Sequence, residues 1–494
     1  MRKIKVLSRS SFLAKIQTQM AIDAIIQKNK GIKIEVIYLD SIGDKDKSPH
    51  AWKKHGFGIF TNSLSLQLIK KNADLIVHSF KDLPVKNKLK TSFVALERDD
   101  PRDVLLIKKT SLSKKSLVFG TSSPRRSYYL KLLKKYIPYN SLKSKKIRGN
   151  IQTRLSKIIN NASEDGVFMS KAAIDRAFLL GSKIDKKIFN QFKKDFAKFT
   201  SIILPLSQFP AAAAQGCIAL EYRNNDKSIK NILEKVNHIE SYKNCIQERK
   251  FLGYWGGGCS LDIGTTIDQT VKQKILFSRG KDNKTNLYFH NKKYLNKIKV
   301  RKVKNIFPTN LKNYQMFHRQ PLSLKNPLNK DIIIISRANF ISKNMFKKTS
   351  YIIASGDGTW KKLNKLGILV NSSLDNFGEE YRLPNYTYSR SLQKPCKLTY
   401  KENKFESKFI KIHHYSLSPS VSRNTIDALF VADSFYWMSF SAFQLAIKLR
   451  PDILNKRNAC GPGNTFNQIS KIIPKKQLNV YLSYQDFKEN ELKI

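Results

Sequence analysis

The sequence has few of the features that mark several common classes of protein. Its five cysteines, at positions 217, 245, 259, 396 and 460, form no Cys-x-x-Cys pair, so neither a disulfide framework nor a cysteine-based metal site is predicted. The longest aliphatic run covers only Ile332 to Ile335, far short of the roughly 20 apolar residues that span a bilayer. Polar residues also interrupt the N-terminal segment before a signal-peptide core develops. We expect a protein of a reducing, cytoplasmic compartment, with no metal and no membrane partner.

Acidic residues are also scarce. The chain has 37 Asp and Glu against 91 Lys and Arg, a formal net charge of +54. Charge alone would predict a nucleic-acid partner. The lysines are spread over the whole length, however, whereas surfaces that follow phosphates concentrate their charge on one face or arm. We therefore expect no nucleic-acid partner.

What the sequence does have is enough apolar material for several cores. Its 494 residues are 41% hydrophobic and 11% aromatic, which is typical of a globular chain of three or four compact units. The first forty residues read as strand, helix, strand, with Ser10 or Ser11 as the helix cap. A further strand, ADLIVHS at 73–79, runs into the polar turn Lys81-Asp82 before Pro84. Polar groups at the carboxyl end of a buried strand indicate a ligand site.

The pattern restarts near Leu117 with the strand LVFGTSS and a helix that has Pro124 in its first position and Ser123 as its cap. The pair Arg125-Arg126 at this helix start predicts an anion site. A similar arrangement follows, with Arg148 before a helix and Arg154 in its first two turns. Two such sites suit a ligand with several carboxylates. The alternative is that these arginines are solvated charges at helix ends.

A third region ends in ERKFLGYWGGGCSLDIG (248–264). Three glycines before Cys259 allow the backbone conformations that would present a thiol at a loop tip. Alone, this segment fits an idle surface thiol equally well.

Seven segments in the same order resemble hydroxymethylbilane synthase, also called porphobilinogen deaminase. Besides residues 248–264, they are LSRSSFLAKIQ (7–17), HSFKDLP (78–84), ERDDPRD (97–103), GTSSPRR (120–126), RGNIQTRL (148–155) and PAAAAQG (210–216).

The resemblance implies an α/β fold with two hinged domains like those of periplasmic binding proteins, and a smaller α+β domain that carries the cofactor cysteine. It implies a dipyrromethane cofactor bound covalently to Cys259. Porphobilinogen would be the substrate, joined head to tail four times with loss of ammonia, and the growing polycarboxylate pyrroles would be the other ligands. We expect a monomer and a transferase of porphyrin and heme biosynthesis.

The resemblance also implies roles for individual residues. Asp82 matches the catalytic aspartate, which would stabilise positive charge on a pyrrole nitrogen and exchange protons. Cofactor and substrate would be bound by ten further residues, namely Arg9, Ser11, Ser79, Lys81, Thr121, Ser123, Arg125, Arg126, Arg148 and Arg154. Arginine suits this task because its guanidinium pairs with carboxylates through two hydrogen bonds.

Several positions depart from the family's pattern. Phe57 stands where a lysine is expected, and Asn62-Ser63 replaces a usual Lys-Glu pair. Ala173 and Ala214 occupy positions usually held by glycine, and Asp262 replaces a proline. These departures favour divergence or reduced efficiency over loss of activity, since every residue with a direct chemical role is present.

About 165 residues follow Asn329. DIIIIS (331–336) and DALFVADS (427–434) read as buried strands. ASGDGTWKKLNKLGI (354–368) and ACGPGNTFNQISKI (459–472) look alike, each with a glycine turn and a threonine near a helix start. The region resembles uroporphyrinogen-III synthase, and the chain would then be a fusion protein. A noncatalytic α/β appendage is the alternative.

These observations predict four parts, at 1–96 (completed by about 195–215), 97–194, 216–310 and 330–494. The alternative function for the first three parts is a noncatalytic module of the same fold that binds small anions. That module would explain the arginines but not Cys259 or Asp82.

Overall fold

A computed structural model describes residues 2–40, 61–85, 89–256, 261–282, 285–296, 302–324, 328–379, 381–383 and 395–493. Its contacts divide the chain into two compact units. The first contains residues 1–134, 139–267 and 276–292, and the second contains residues 135–138, 268–275 and 293–494. Both are mixed α/β, as predicted. Within the described ranges, no helix combines the length and the apolar character needed to cross a membrane.

Strands and helices alternate through residues 2–294. The strands are β1 (Arg2–Arg9), β2 (Ile32–Leu39), β3 (Leu75–Ser79), β4 (Thr91–Ala95), β5 (Asp103–Lys108), β6 (Ser116–Gly120), β7 (Ser141–Lys145), β8 (Gly166–Ser170), β9 (Phe199–Ile203), β10 (Ile218–Arg223), β11 (Gly264–Gln269), β12 (Lys274–Lys281) and β13 (Tyr288–Tyr294). The helices are α1 (Phe12–Lys28), α2 (Asn62–Ile69), α3 (Pro124–Leu133), α4 (Ile151–Asn160), α5 (Lys171–Ile184), α6 (Lys186–Phe196), α7 (Lys227–Glu234) and α8 (Ile239–Gly253).

The first sheet has the order β2-β1-β3-β10-β4. Strand β1 runs parallel to β2 and β3, and β10 runs antiparallel to β3 and β4. The predicted strand–helix–strand start of the chain is confirmed by β1, α1 and β2. Ala21 and Ile25 of α1 are buried in one cluster with Ile4 and Val6 of β1, so the apolar faces of these neighbouring elements build the core of this sheet.

The second sheet has the order β7-β6-β8-β5-β9. Two segments connect it to the first sheet, since residues 96–102 join β4 to β5 and residues 204–217 join β9 to β10. Residues from about 195 to 215, which are predicted to complete the first part, begin in the second sheet. They contain β9, which pairs with β5, and it is β10 that returns to the first sheet by pairing with β3 and β4.

A third sheet has the order β11-β12-β13. Buried residues of β11 include Thr265, Thr266 and Ile267, and Ile275, Leu276 and Phe277 of β12 are buried as well. The segment around Cys259 connects α8 to β11, the first strand of this small sheet.

The second unit contains two further sheets. Its strands are β14 (Ile306–Phe307), β15 (Phe317–Pro321), β16 (Ile332–Ile335), β17 (Tyr351–Ala354), β18 (Ser372–Ser373), β19 (Cys396–Tyr400), β20 (Ile410–Pro419), β21 (Ser434–Trp437), β22 (Arg457–Cys460) and β23 (Leu478–Val480). Its helices are α9 (Asp357–Lys365), α10 (Arg423–Val431), α11 (Phe440–Leu449), α12 (Asn464–Ile469) and α13 (Tyr484–Glu491). The sheet orders are β15-β20-β19-β16-β17-β18 and β14-β21-β22-β23.

The strand predicted at 331–336 is confirmed by β16, but the strand predicted at 427–434 is wrong. Residues 423–431 form α10, and the strand β21 begins only at Ser434. The apolar residues of this segment bury one helical face, with Thr425 and Leu429 inside, and a short apolar run does not distinguish a helix from a strand. The two similar segments both form a strand, a turn and a helix, through β17 and α9 and through β22 and α12.

Candidate functional site

The predicted site residues of the first sheet lie where β1 and β3 end. Arg9 is the last residue of β1, and Ser11 caps α1, its hydroxyl accepting a hydrogen bond from the backbone N–H of Ala14 at 3.4 Å. Ser79 ends β3, and its hydroxyl donates to Gln17 of α1 at 3.1 Å. Parallel strands bring these residues to one edge of the sheet.

Lys81 and Asp82 follow in a single 3-10 turn, Phe80–Asp82. Phe80 is buried beneath the turn, whereas Lys81 and Asp82 are only partly buried. Within the described part of the chain, no hydrogen bond reaches the Asp82 carboxylate. The aspartate is thus held by its backbone while its carboxylate remains available. We refer to Arg9, Ser11, Ser79, Lys81 and Asp82 as the Asp82 group.

Arg249 of α8 fixes this turn, and the sequence analysis missed it. Its side chain is only 6% exposed. Its guanidinium donates to the carbonyl oxygens of Phe80 at 3.1 Å and Leu83 at 3.0 Å, and also to that of Pro84. The guanidinium carbon Cζ of Arg249 also lies 5.4 Å from the centroid of the Phe80 ring, in a cation–π contact. Because three carbonyls around Asp82 share one rigid donor, Arg249 sets the position of the turn.

The predicted site residues of the second sheet lie after β6 and β7. Thr121 follows β6 and is buried, and its hydroxyl accepts from the N–H of Ser123 at 3.2 Å. Ser123 caps α3, accepting from the N–H of Arg126 at 3.5 Å, and Pro124 occupies the first helical position. The predicted cap is therefore confirmed. We refer to Thr121, Ser123, Arg125, Arg126, Arg148 and Arg154 as the arginine group.

Asp103 lies between the two arginines of α3. It accepts from Arg125 at 2.6 Å and from Arg126 at 2.7 Å, and it is completely buried. Burial alone would raise the pKa of Asp103, but the ion pairs with Arg125 and Arg126 outweigh it and hold that pKa well below its ordinary value. The carboxylate is therefore charged, and the three residues together keep one net positive charge.

Asp103 is the last residue of the ERDDPRD segment, and no local pattern in the sequence indicates its role. Arg125 also donates to the carbonyl of Pro210 at 3.1 Å and is 4% exposed. The structure thus gives Arg125 an internal partner, which the periodicity of α3 could not indicate.

Arg154 adds a second positive charge to this group. It lies in the first turns of α4, as predicted, and its Nε donates to the carbonyl of Gly149 at 2.8 Å. Burial, together with repulsion from Arg126, lowers the pKa of Arg154 to about 10. Within the described part of the chain Arg154 forms no ion pair, so its positive charge is not neutralised there. Arg148 lies just before α4 and is partly buried.

Cys259 falls outside the described residues, as does Phe57. The helix before Cys259 is described, and it is anchored by a second buried residue that the sequence analysis missed. Glu248 of α8 pairs with Arg98 at 2.5 Å and accepts from the N–H groups of Ala214 at 2.7 Å and Ile267 at 2.6 Å.

The other departures from the family's pattern have visible surroundings. Ala214 is buried with φ of +62°, a conformation that favours glycine. Ala173 is buried within α5, where alanine is favourable. Asp262 and Ser63 are partly buried.

Comparisons with known proteins point to one family. The family model described as porphobilinogen deaminase, dipyromethane cofactor binding domain, matches residues 4–231. The probable porphobilinogen deaminase of Picrophilus torridus is 37% identical over 265 residues, which are 53% of this chain and 84% of that protein. The porphobilinogen deaminase of Caldicellulosiruptor saccharolyticus is 34% identical over 280 residues, which are 56% of this chain and 87% of that protein.

Proposed function

Because this chain belongs to the porphobilinogen deaminase family, we propose that it is a hydroxymethylbilane synthase that joins four porphobilinogen units head to tail with loss of ammonia. Membership makes it a transferase with a dipyrromethane cofactor. The attachment point that we propose is Cys259, the only cysteine in the motif that resembles the family's cofactor loop.

The observation that carries the proposal is the arginine group. Arg125 and Arg126 share the carboxylate of Asp103, and Arg154 is held in the first turns of α4 by its hydrogen bond to the carbonyl of Gly149. A cluster with this surplus of positive charge suits a ligand with several carboxylates, and these residues therefore fit the cofactor. When bound, the dipyrromethane supplies the pyrrole to which the first substrate unit is joined.

Asp82 is the residue to which we assign proton exchange. Each addition requires a proton for the leaving amine and, after the new carbon–carbon bond has formed, the loss of a proton from the carbon of the terminal pyrrole that formed it. A carboxylate at the substrate can serve both steps. Its charge also stabilises positive charge on a pyrrole nitrogen. Arg249 acts as a positioning residue, because it holds the backbone around Asp82 without reaching the carboxylate.

We also propose that the two sheets of the first unit belong to hinged domains with the ligands between them. Support comes from the two connecting segments, 96–102 and 204–217, which are the covalent links between these sheets. Lys81 and the remaining members of the Asp82 group would bind the cofactor from one domain, and the arginine group would bind carboxylates from the other.

A second activity, that of a uroporphyrinogen-III synthase, is our proposal for the second unit. It is favoured by the repeated strand, turn and helix of β17 and α9 and of β22 and α12, on two separate sheets. Such turns present backbone N–H groups to carboxylates.

The test of the main function is the Asp82→Asn variant, supplied with porphobilinogen. We expect the cofactor to be attached but elongation to stop, so that no bilane is released. Asp23→Asn provides the matched control, because Asp23 is an exposed residue of α1. An active Asp82→Asn enzyme would remove this residue from its assigned role. A chain that binds porphobilinogen but never forms a covalent adduct would instead be the noncatalytic binding module.

A further inference from the structure

Two arginines lie at the same edge of the six-stranded sheet of the second unit. Strand β16 ends at Ile335 and is followed by Ser336 and Arg337. The parallel strand β19 ends at Tyr400, which is paired with Tyr415 of β20. Arg319 of the antiparallel strand β15 is paired with Leu417, just beyond that end. Arg319 and Arg337 therefore lie at the carboxyl edge of the parallel strands, where α/β sheets bind ligands.

The arginines at this edge have no acidic partner among the described residues. Within the described part of the chain, neither Arg319 nor Arg337 forms an ion pair, and the Nε of Arg319 is buried without an acceptor. Burial, followed by repulsion from Arg337, lowers the pKa of Arg319. The carboxylate of Glu402 accepts from the N–H of Leu417 at 2.8 Å instead of pairing with either arginine.

An exposed aromatic ring lies beside these arginines. Phe340, three residues after Arg337, is 45% exposed and has φ of +56°. A bulky residue seldom adopts this conformation, and such strain concentrates at binding sites. Its ring centroid lies 6.3 Å from that of Tyr415, and the Tyr415 and Tyr400 centroids are 6.0 Å apart. The buried Tyr415, with the partly buried Tyr400 behind it, thus supports an apolar ring that is largely exposed.

We propose that Arg319, Arg337 and Phe340 form a second binding site, which takes an aromatic ligand with several carboxylates. The arginines would pair with the carboxylates, and Phe340 would pack on a ring of the ligand. The Tyr400 hydroxyl, next to this site, lies 3.1 Å from the hydroxyl of Ser441 in α11 and is hydrogen-bonded to it. This inference rests on the proposed function only for its choice of a tetrapyrrole as ligand.

The test uses the full-length protein and the octacarboxylate uroporphyrin as the probe. Binding is measured by fluorescence titration for the wild type, for Arg319→Gln/Arg337→Gln, and for Lys448→Gln/Lys471→Gln. The last variant is the matched control, because it removes the same charge from exposed positions of the same unit. We expect the first variant to bind at the second unit at least tenfold more weakly, and the control to bind like the wild type. Equal affinity in all three proteins would overturn the proposal, as would an equal loss in the two variants.

A third variant, Phe340→Ala, tests the aromatic contact without changing the charge. We expect a smaller loss of affinity than for the double arginine variant, and thermal unfolding shows whether each variant is folded. Consumption of porphobilinogen is measured on the same samples, and we expect it to be unchanged. Absence of this activity in the wild type would refute the proposed function, while binding that depends on Arg319 and Arg337 would still establish the second site.

Discussion

Replacement of Arg249 by lysine should slow elongation while leaving the charge of the protein unchanged. The guanidinium holds the carbonyls of Phe80, Leu83 and Pro84 at once, from a nearly fully buried position. A lysine ammonium has no planar fork with which to reach three such acceptors. The variant therefore loses one or two of these contacts and leaves the turn that carries Asp82 less well fixed.

The magnitude follows from the contacts. A hydrogen bond to a charged group contributes about 1.5–3 kcal/mol, so the loss of one or two should lower the free energy of unfolding by about 2–5 kcal/mol. A displacement of about 1 Å at a reacting group can reduce a rate about 100-fold. We expect kcat for consumption of porphobilinogen to fall between about tenfold and 100-fold, with a smaller change in KM.

The assay compares Arg249→Lys with Lys250→Gln, its exposed neighbour on α8. Urea denaturation gives the change in stability, and mass spectrometry shows whether the cofactor is attached. Conditions are chosen in which both variants are folded. A folded Arg249→Lys enzyme with a kcat within twofold of the wild type would refute the assignment of Arg249 as a positioning residue.

Two further predictions concern residues around the site. Asp103→Asn should destabilise the protein by about 3–5 kcal/mol at pH 7, because it leaves two buried arginines without their partner. Since the folded-state pKa of Asp103 lies below its ordinary value, its contribution is complete above about pH 4 and is lost as the pH falls through the folded pKa. The free energies of unfolding of Asp103→Asn and the wild type, taken from denaturation curves, should therefore approach each other in acid. A difference between them that does not change with pH would show that the Asp103 ion pairs are not its cause. Ala214→Gly should lower the free energy of unfolding by about 1–2 kcal/mol less than Ala213→Gly does, because Ala214 has a positive φ and Ala213 does not. Equal free energies of unfolding for the two variants would show that Ala214 is not strained.

Much of the local structure around the site could be predicted from the sequence. The sequence predicts Ser10 or Ser11 as the cap of α1 and Ser123 as the cap of α3, because hydroxyl oxygens accept hydrogen bonds from the free N–H groups of a helix start. In the structure Ser11 is the cap of α1, and the prediction of Ser123 is confirmed. The polar turn at Lys81-Asp82 follows its strand as predicted, with Pro84 just after it. These features depend on neighbours within a few residues, which is why pattern and propensity suffice.

The contacts that fix the site could not be predicted in this way. Arg249 reaches carbonyls 165 to 169 residues earlier in the chain, and Asp103 pairs with arginines more than 20 residues away. Glu248 and Arg98 are also distant in sequence. Such pairings depend on how strands are ordered in the sheets, and no periodicity encodes that order. The error at 427–434 has a different cause, because a short apolar run does not distinguish a helix from a strand.

Covalent attachment of the cofactor to Cys259 is tested most directly by the intact mass of the full-length protein, purified from cells that make porphobilinogen, followed by peptide mapping. We expect an added mass equal to two linked pyrrole units on the peptide that contains Cys259, and no added mass in Cys259→Ser. An unmodified Cys259 in the wild-type protein would show that this residue does not carry the cofactor.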